Sequence, residues 1–424
     1  MKIRNILVAA LAVVALTGCS QKEDYTWVKN GIDRATSQLL WTAEEIGETG
    51  KIPRSTWAGY DEQMLERQLN REFATFKDSL RKKAAPEMMG KRRLATVYDW
   101  TSGFFPGSLW YAYEFTGRED VKAAAEKFTN LLLPVSHYTK THDLGFMINC
   151  SYGNALRLAP CDTIPEVIVR TADNLCGRFD KEIGCIRSWD FGEWNFPVII
   201  DNMMNLDLLF SASKLSGNPY YAEVAKIHAN TTMKHHFRED MTSYHVVSYN
   251  PDGTVERKQT HQGQSDDSAW ARGQAWGVYG YAACYRETGD EAYLAQAVKI
   301  ADMIMSRVTT EDAIPYWDYD APESEETPRD ASAAAVTACA LLEMSTMVED
   351  GEKYFAYAEK ILKSLSSDAY LAAEGTNEGF VLMHSTGSLP HGSEIDVPLN
   401  YADYYYLEAL QRYMNLVGIT YAEL

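Results

Sequence analysis

The chain has 424 residues, with 40 basic side chains against 59 acidic ones and a formal charge of −19. A phosphate backbone calls for the opposite sign, so this balance excludes nucleic acid as a partner, and long anionic polymers are repelled at a distance. With no Pro/Ser/Gly linker and no break in composition, the sequence reads as one large domain whose core needs no disulfides.

In chain order, the first element is an export signal. Lys2 and Arg4 precede an apolar run too short to span a bilayer, and Leu16-Thr17-Gly18-Cys19 follows, small residues before a cysteine as in a bacterial lipoprotein cleavage site. Removal of residues 1–18 is expected to leave Cys19 lipidated and residues 19–424 tethered to the cell envelope rather than spanning it. No later stretch approaches the roughly 20 apolar residues of a membrane span. The other cysteines, Cys150, Cys161, Cys176, Cys185, Cys284 and Cys339, contain no C-x-x-C pair and mostly fall in apolar helical patterns, so buried free thiols are expected.

Helices are expected near 26–47, 103–116, 119–135, 148–160, 164–178, 200–216, 219–237, 268–288, 291–309, 330–347, 352–366 and 398–417. Four stretches share one grammar: FTGREDVKAAAEKF, LSGNPYYAEVAKIH, ETGDEAYLAQAVKI and EDGEKYFAYAEKIL. In each, an aromatic-rich helix ends at Gly117, Gly217, Gly289 or Gly351, where glycine can take the left-handed cap, and a more polar helix follows. The helix before each turn is rich in Trp, Tyr, Ala and Gly, and the one after it is amphipathic, as expected of an inner and an outer ring. Six such hairpins make an all-α fold, an (α/α)6 barrel. An open solenoid would need polar terminal caps, whereas the last helix, NYADYYYLEALQRYMNL, is as aromatic as the middle ones. Loops 184–199, 240–267 and 312–330 are rich in Trp, Asp, Tyr, Pro and Gly, and function belongs there.

The chain has no Gly-rich phosphate loop, H-E-x-x-H or G-x-S-x-G elbow, and His235 and His236 are adjacent rather than four apart. Carboxylates and aromatics remain, the equipment of carbohydrate enzymes. Asp143 in THDLGFM, Asp201 in FPVIIDNMMNL and Asp99 in YDWTSGFFPG sit among apolar neighbours at the ends of proposed inner helices. Such neighbours raise a carboxyl pKa, and a second carboxylate makes two groups share a proton. Each also has a plainer reading. Asp201 caps a helix after Pro197, Asp143 occupies a turn, and for Asp99 a cap or turn is the better account. Within 262–276, QGQSDDSAWARGQAW, Arg272 and Trp276 are four apart and share a helical face, so a guanidinium and a ring could hold a uronic acid together. A core tryptophan and a salt-bridged arginine is the alternative. His245, in SYHVVSYN, says little alone.

Taken in order, DWTSGFFPGSLW, HDLGFM, IIDNMMNL, DDSAWARGQAWGVYGYA, PRDASAAA and EIDVPLNYADYYYLEAL resemble the unsaturated glucuronyl hydrolases, glycoside hydrolase family 88, from about residue 90 to the C-terminus. The resemblance implies an (α/α)6 barrel and an enzyme acting on oligosaccharides left by polysaccharide lyases, whose terminal uronic acid carries a C4=C5 double bond. It implies Asp201 as general acid and base, and Asp143 as the second aspartate that sustains its protonated state. Trp100 would stack on the unsaturated ring, His245, Gln262, Arg272 and Trp276 would hold its hydroxyls and carboxylate, and Trp189 and Tyr401 would meet the neighbouring sugar. Residues 384–393, HSTGSLPHGS, lie where members differ in tolerance of sulfate; the stretch has no lysine, which implies no strong preference for a sulfated sugar. No cofactor is implied. Two rivals are a rhamnogalacturonyl hydrolase acting on pectin fragments and a glycan-binding lipoprotein, which would need neither aspartate.

Overall fold

A computed structural model describes residues 24–57 and 90–424, so the proposed signal segment and Cys19 lie outside the described residues. Helix α1 spans Thr26–Ile46. The hairpin α2 (Phe104–Thr116) and α3 (Glu119–Asn130) follows. Helix α4 begins as a π-helix over Gly145–Gly153, continues as an α-helix over Asn154–Leu158, and leads to α5 (Thr163–Cys176). Helix α6 opens with a 3₁₀ turn at Ile200–Asn205, continues through Leu206–Ser216, and is followed by α7 (Tyr220–His235). The remaining helices are α8 (Ala271–Thr288), α9 (Glu291–Arg307), α10 (Ala331–Met344), α11 (Gly351–Leu365) and α12 (Asn400–Val417).

Packing runs α2–α4–α6–α8–α10–α12 and returns from α12 to α2, so the even-numbered helices close a ring. The odd-numbered helices lie outside, with α1 against both α2 and α12, which makes the first and last helices the sixth pair. The sequence dictates this division. Every residue of α8 from Ala271 to Cys284 is buried, as befits a helix of Ala, Gly, Trp and Tyr with no polar face, whereas α9 buries one stripe.

Helices α2, α6 and α8 end at Gly117, Gly217 and Gly289 with φ of 63°, 70° and 67°, the left-handed caps expected of them. Gly351 departs from the expectation. It opens α11 rather than closing α10, and a Cβ there would collide with the Ser345 carbonyl, so glycine serves a close approach and not a cap. Of the cysteines, Cys150, Cys176, Cys185, Cys284 and Cys339 are buried free thiols, while Cys161 is exposed.

Short strands appear where irregular loops were expected. Strand β1 (Ile52–Thr56) pairs antiparallel with β2 (Arg92–Ala95), and β3 (Phe179–Asp180) with β4 (Cys185–Ile186). Strands β5 (Pro197–Ile199), β6 (Val246–Tyr249) and β7 (Val255–Gln259) form one antiparallel sheet in that order.

Candidate active site

A cavity of about 790 Å³ opens at the N-terminal ends of the inner helices, walled by β1, β2 and the loops that precede α2, α4, α6, α8 and α12. Trp100, Asp143, Trp189, Asp201, Gln262, Arg272 and Tyr401 all line it. Helix N-termini carry unpaired N–H groups and partial positive charge, so this end of the barrel suits an anionic ligand. Arg54, Arg93 and Lys140 on the same wall add cations to a chain that is acidic overall.

Asp201 is placed by the sheet. Ile199 of β5 lies opposite Val246 of β6, and the Ile200 N–H donates to the His245 carbonyl at 3.1 Å. This pairing sets His245 Nε2 3.5 Å from Asp201 Oδ2. The Nδ1 atom of His245 accepts from the backbone N–H groups of His261 and Gln262, each at 3.1 Å, which leaves the ring proton on Nε2, facing the carboxyl. Burial keeps that imidazole well below its ordinary pKa, hence neutral. Asp201 Oδ2 is buried without a hydrogen-bond partner among the described residues. Burial pushes the Asp201 carboxyl up to about 7; the Arg272 charge opposes the rise, the Asp143 charge adds to it, and the nearby Trp276 indole pulls weakly down.

Asp143 approaches from the turn before α4. The Thr141 hydroxyl donates to its Oδ2 at 2.7 Å, and His142 Nε2 lies 3.3 Å from Oδ1. The turn is docked on the start of α6: Phe146 N–H donates to Asn205 Oδ1 at 2.9 Å, and a Cβ on Gly145 would come within 2.6 Å of Asn205 Cα. Only glycine permits that approach, which puts both aspartates on one wall. The π-helix that starts at Gly145 widens the first turn here, as such segments often do beside functional sites.

Arg272 is buried at the start of α8, with its guanidinium over the rings of Trp270 and Tyr401. One Nη donates to Asp330 Oδ2 at 2.7 Å and to the Thr386 carbonyl at 2.6 Å, and the other Nη to the Gly387 carbonyl. Arg272 therefore ties the 384–393 loop to the barrel as well as lining the cavity. Gln262 Nε2 donates to the same Gly387 carbonyl at 3.1 Å. Trp100 is half-buried against Tyr401 and Phe146, with ring centroids 5.0 and 5.5 Å away.

Two residues expected at the ligand stand behind it instead. Trp276 shares a helical face with Arg272 but is fully buried against Phe146 and Tyr405, and it is not on the cavity wall, because α8 is enclosed on all sides beyond its first turn. His245 is likewise buried behind Asp201 and off the wall.

Several wall residues gave no signal in the sequence. Arg54 bridges Asp99 at 2.5 Å and Glu394 at 2.5 Å, and Arg93 reaches the same Glu394 at 3.2 Å. Burial alone would raise the Asp99 carboxyl, yet Arg54 and the Thr101 donors hold it below its usual range. Thr101 donates to Asp99 from both its N–H and its hydroxyl, as a turn or cap residue should receive. His261 and His391, with ring centroids 4.3 Å apart, also line the cavity.

A family model described as Glycosyl Hydrolase Family 88 matches residues 159–416, and one described as a domain of unknown function matches residues 1–71. The chain is 46% identical over 338 residues to an unsaturated glucuronyl hydrolase of Formosa agariphila, covering 78% of this chain and 84% of that one. It is 33% identical over 327 residues to an unsaturated chondroitin disaccharide hydrolase of Streptococcus pyogenes serotype M1, covering 74% and 81%. The structure matches a crystal structure of an unsaturated glucuronyl hydrolase specific for heparin with a TM-score of 0.84 and 47% identity, covering 93% of this chain and 99% of that one.

Proposed function

We propose, from the premise that the chain belongs to glycoside hydrolase family 88, that it is an unsaturated glucuronyl hydrolase acting on glycosaminoglycan fragments. It removes the terminal 4,5-unsaturated uronic acid that polysaccharide lyases leave behind. The observation that carries the reading is Asp201: a cavity-wall carboxyl whose pKa burial raises to about 7, so that it has a proton to give near neutral pH.

The chemistry follows from that proton. Asp201 protonates C4 of the enol ether, and positive charge develops at C5 and the ring oxygen. The carboxylate left behind then takes a proton from the water that attacks C5, which restores the acid. The C5 hemiketal opens, its ring oxygen becomes a hydroxyl on C1, and the resulting hemiacetal expels the neighbouring sugar. Because water adds at C5 and not C1, the spacing rule for retaining and inverting pairs does not apply. The Asp143 charge beside Asp201 favours the protonated form of Asp201. Trp100 stacks on the unsaturated ring, Gln262 and Arg272 hold its polar groups, and Trp189 and Tyr401 meet the next sugar. His245 and Trp276 act from behind, by orienting and tuning Asp201. At the other terminus, Cys19 carries a lipid anchor that holds the enzyme on the cell envelope.

The test is the ultraviolet absorbance of the conjugated C4=C5 uronate, followed while wild type and Asp201→Asn meet unsaturated chondroitin and heparin disaccharides. Loss with wild type alone is expected. No loss with any unsaturated disaccharide, pectin-derived ones included, would sink the hydrolase reading.

A further inference from the structure

The reaction leaves one conspicuous part of the cavity unused. Trp189 shares the cavity wall with Asp201, and on Trp189 lies Phe191, stacked at 4.8 Å with planes 22° apart. Phe191 lines the cavity mouth and is 56% exposed, the largest value among the exposed large hydrophobic residues described. A phenyl ring left in water forgoes about 25 cal/mol for each Å² it could have buried.

This ring is not on an idle loop. Arg187 Nε donates to the Trp189 carbonyl at 3.0 Å, Arg178 holds the Asp190 carboxylate at 3.0 and 3.1 Å, and Trp194 Nε1 donates to Gln259 at 2.9 Å. Residues on both sides of Phe191 are thus pinned while its outer face stays open. The cavity volume, about 790 Å³, is also in the upper part of the range of about 300–1,000 Å³ that small-molecule sites occupy, ample for more than two sugar rings.

We infer that the outward face of Phe191 is a binding surface for a third sugar unit. The unsaturated uronate lies at Asp201, its neighbour at Trp189, and the apolar face of the next pyranose on Phe191. The inference rests on the hydrolase reading and adds to it a preference of chain length: an unsaturated tetrasaccharide gains a contact that a disaccharide cannot make.

The experiment compares kcat/KM for the unsaturated disaccharide and tetrasaccharide of one lyase digest, chondroitin or heparin, whichever wild type turns over faster. Wild type, Phe191→Ala and Phe191→Tyr are assayed. Phe191→Ala is expected to lower the tetrasaccharide value by about ten-fold through KM while moving the disaccharide value less than about two-fold, and Phe191→Tyr to keep both. A parallel loss on both substrates would mean that Phe191 only props Trp189, and no change on either would mean an idle ring; each overturns the inference and leaves the hydrolase reading standing. Failure of wild type on every unsaturated substrate would remove both.

Discussion

Helix α8 has an arginine near each end, about 20 Å apart along its axis, and the two belong to opposite chemistries. At its C-terminal end, Arg286 meets Asp207 at 2.8 Å and Glu343 at 2.7 Å; Arg412 meets Glu343 at 2.8 Å and Glu408 at 2.5 Å; and the Tyr279 hydroxyl donates to Glu408 at 2.7 Å. Burial would raise Glu343, but Arg412 and Arg286 carry it below its ordinary range. At the N-terminal end, Arg272 turns its two Nη groups to Asp330 and two carbonyls, and Asp201 is left with an unpaired oxygen and a pKa near 7. Asp201 is buried, and the Glu343 side chain is only 13% exposed. The partner, not the burial, decides whether a carboxyl stabilises the fold or does chemistry.

That contrast can be broken from either end. The largest effect is expected from Asp201→Asn, which should cut kcat by about 1,000-fold. The same variant tests the cost of the unpaired acid. The native Asp201 holds its proton to about pH 7 while the unfolded chain sheds it near the ordinary aspartate value of 3.8, so wild type loses stability as pH rises through that window. Chemical denaturation at pH 5 and pH 8 should show that Asp201→Asn lacks this decline, which amounts to about 3 kcal/mol between those two pH values. At the closed end, Arg412→Ala leaves Glu408 with the Tyr279 hydroxyl and no cation, and Glu343 with Arg286 alone. A loss of about 3 kcal/mol in the same assay is expected, with kcat of the folded fraction unchanged.

Smaller changes sharpen the picture at Asp201 itself. Asp143→Asn removes a charge that raises the Asp201 pKa, so the descending alkaline limb of the kcat/KM profile should move to lower pH, with about ten-fold less activity at pH 7. Trp276→Phe removes an indole N–H that favours the ionised carboxyl, so the limb should shift slightly the other way. A limb that stays put in both variants would mean that Asp201 is not the group being titrated.

The barrel was legible because its signals are local. Gly117, Gly217 and Gly289 announce left-handed caps within a few residues of sequence, and the all-round apolar composition of α8 announces an inner helix. Gly351 misled because a cap and a close approach select the same residue, and only the Ser345 carbonyl distinguishes them. The aspartates could be suspected from their apolar contexts. The grip of Arg54 on Glu394, 340 positions away, could not, since no local pattern encodes it. Strands β5 to β7 were missed for the same reason: β5 has three residues, too few to show a period, and exists because β6 lies beside it. Trp276 shows the limit of helical spacing, which says that two side chains share a face but not where along the helix the cavity stops.

The way Arg272 holds the 384–393 loop has one more consequence. It grips the carbonyls of Thr386 and Gly387, groups that every amino acid possesses, rather than any side chain of the loop. The loop's position on the cavity wall is thereby separated from its composition. Substitutions at Ser388, His391 or Ser393, which face the cavity, can change what the enzyme accepts without unmooring the segment that presents them. A barrel built in this way can exchange one glycan for another by drift in a few exposed positions, while the anchor and the acid behind it stay as they are.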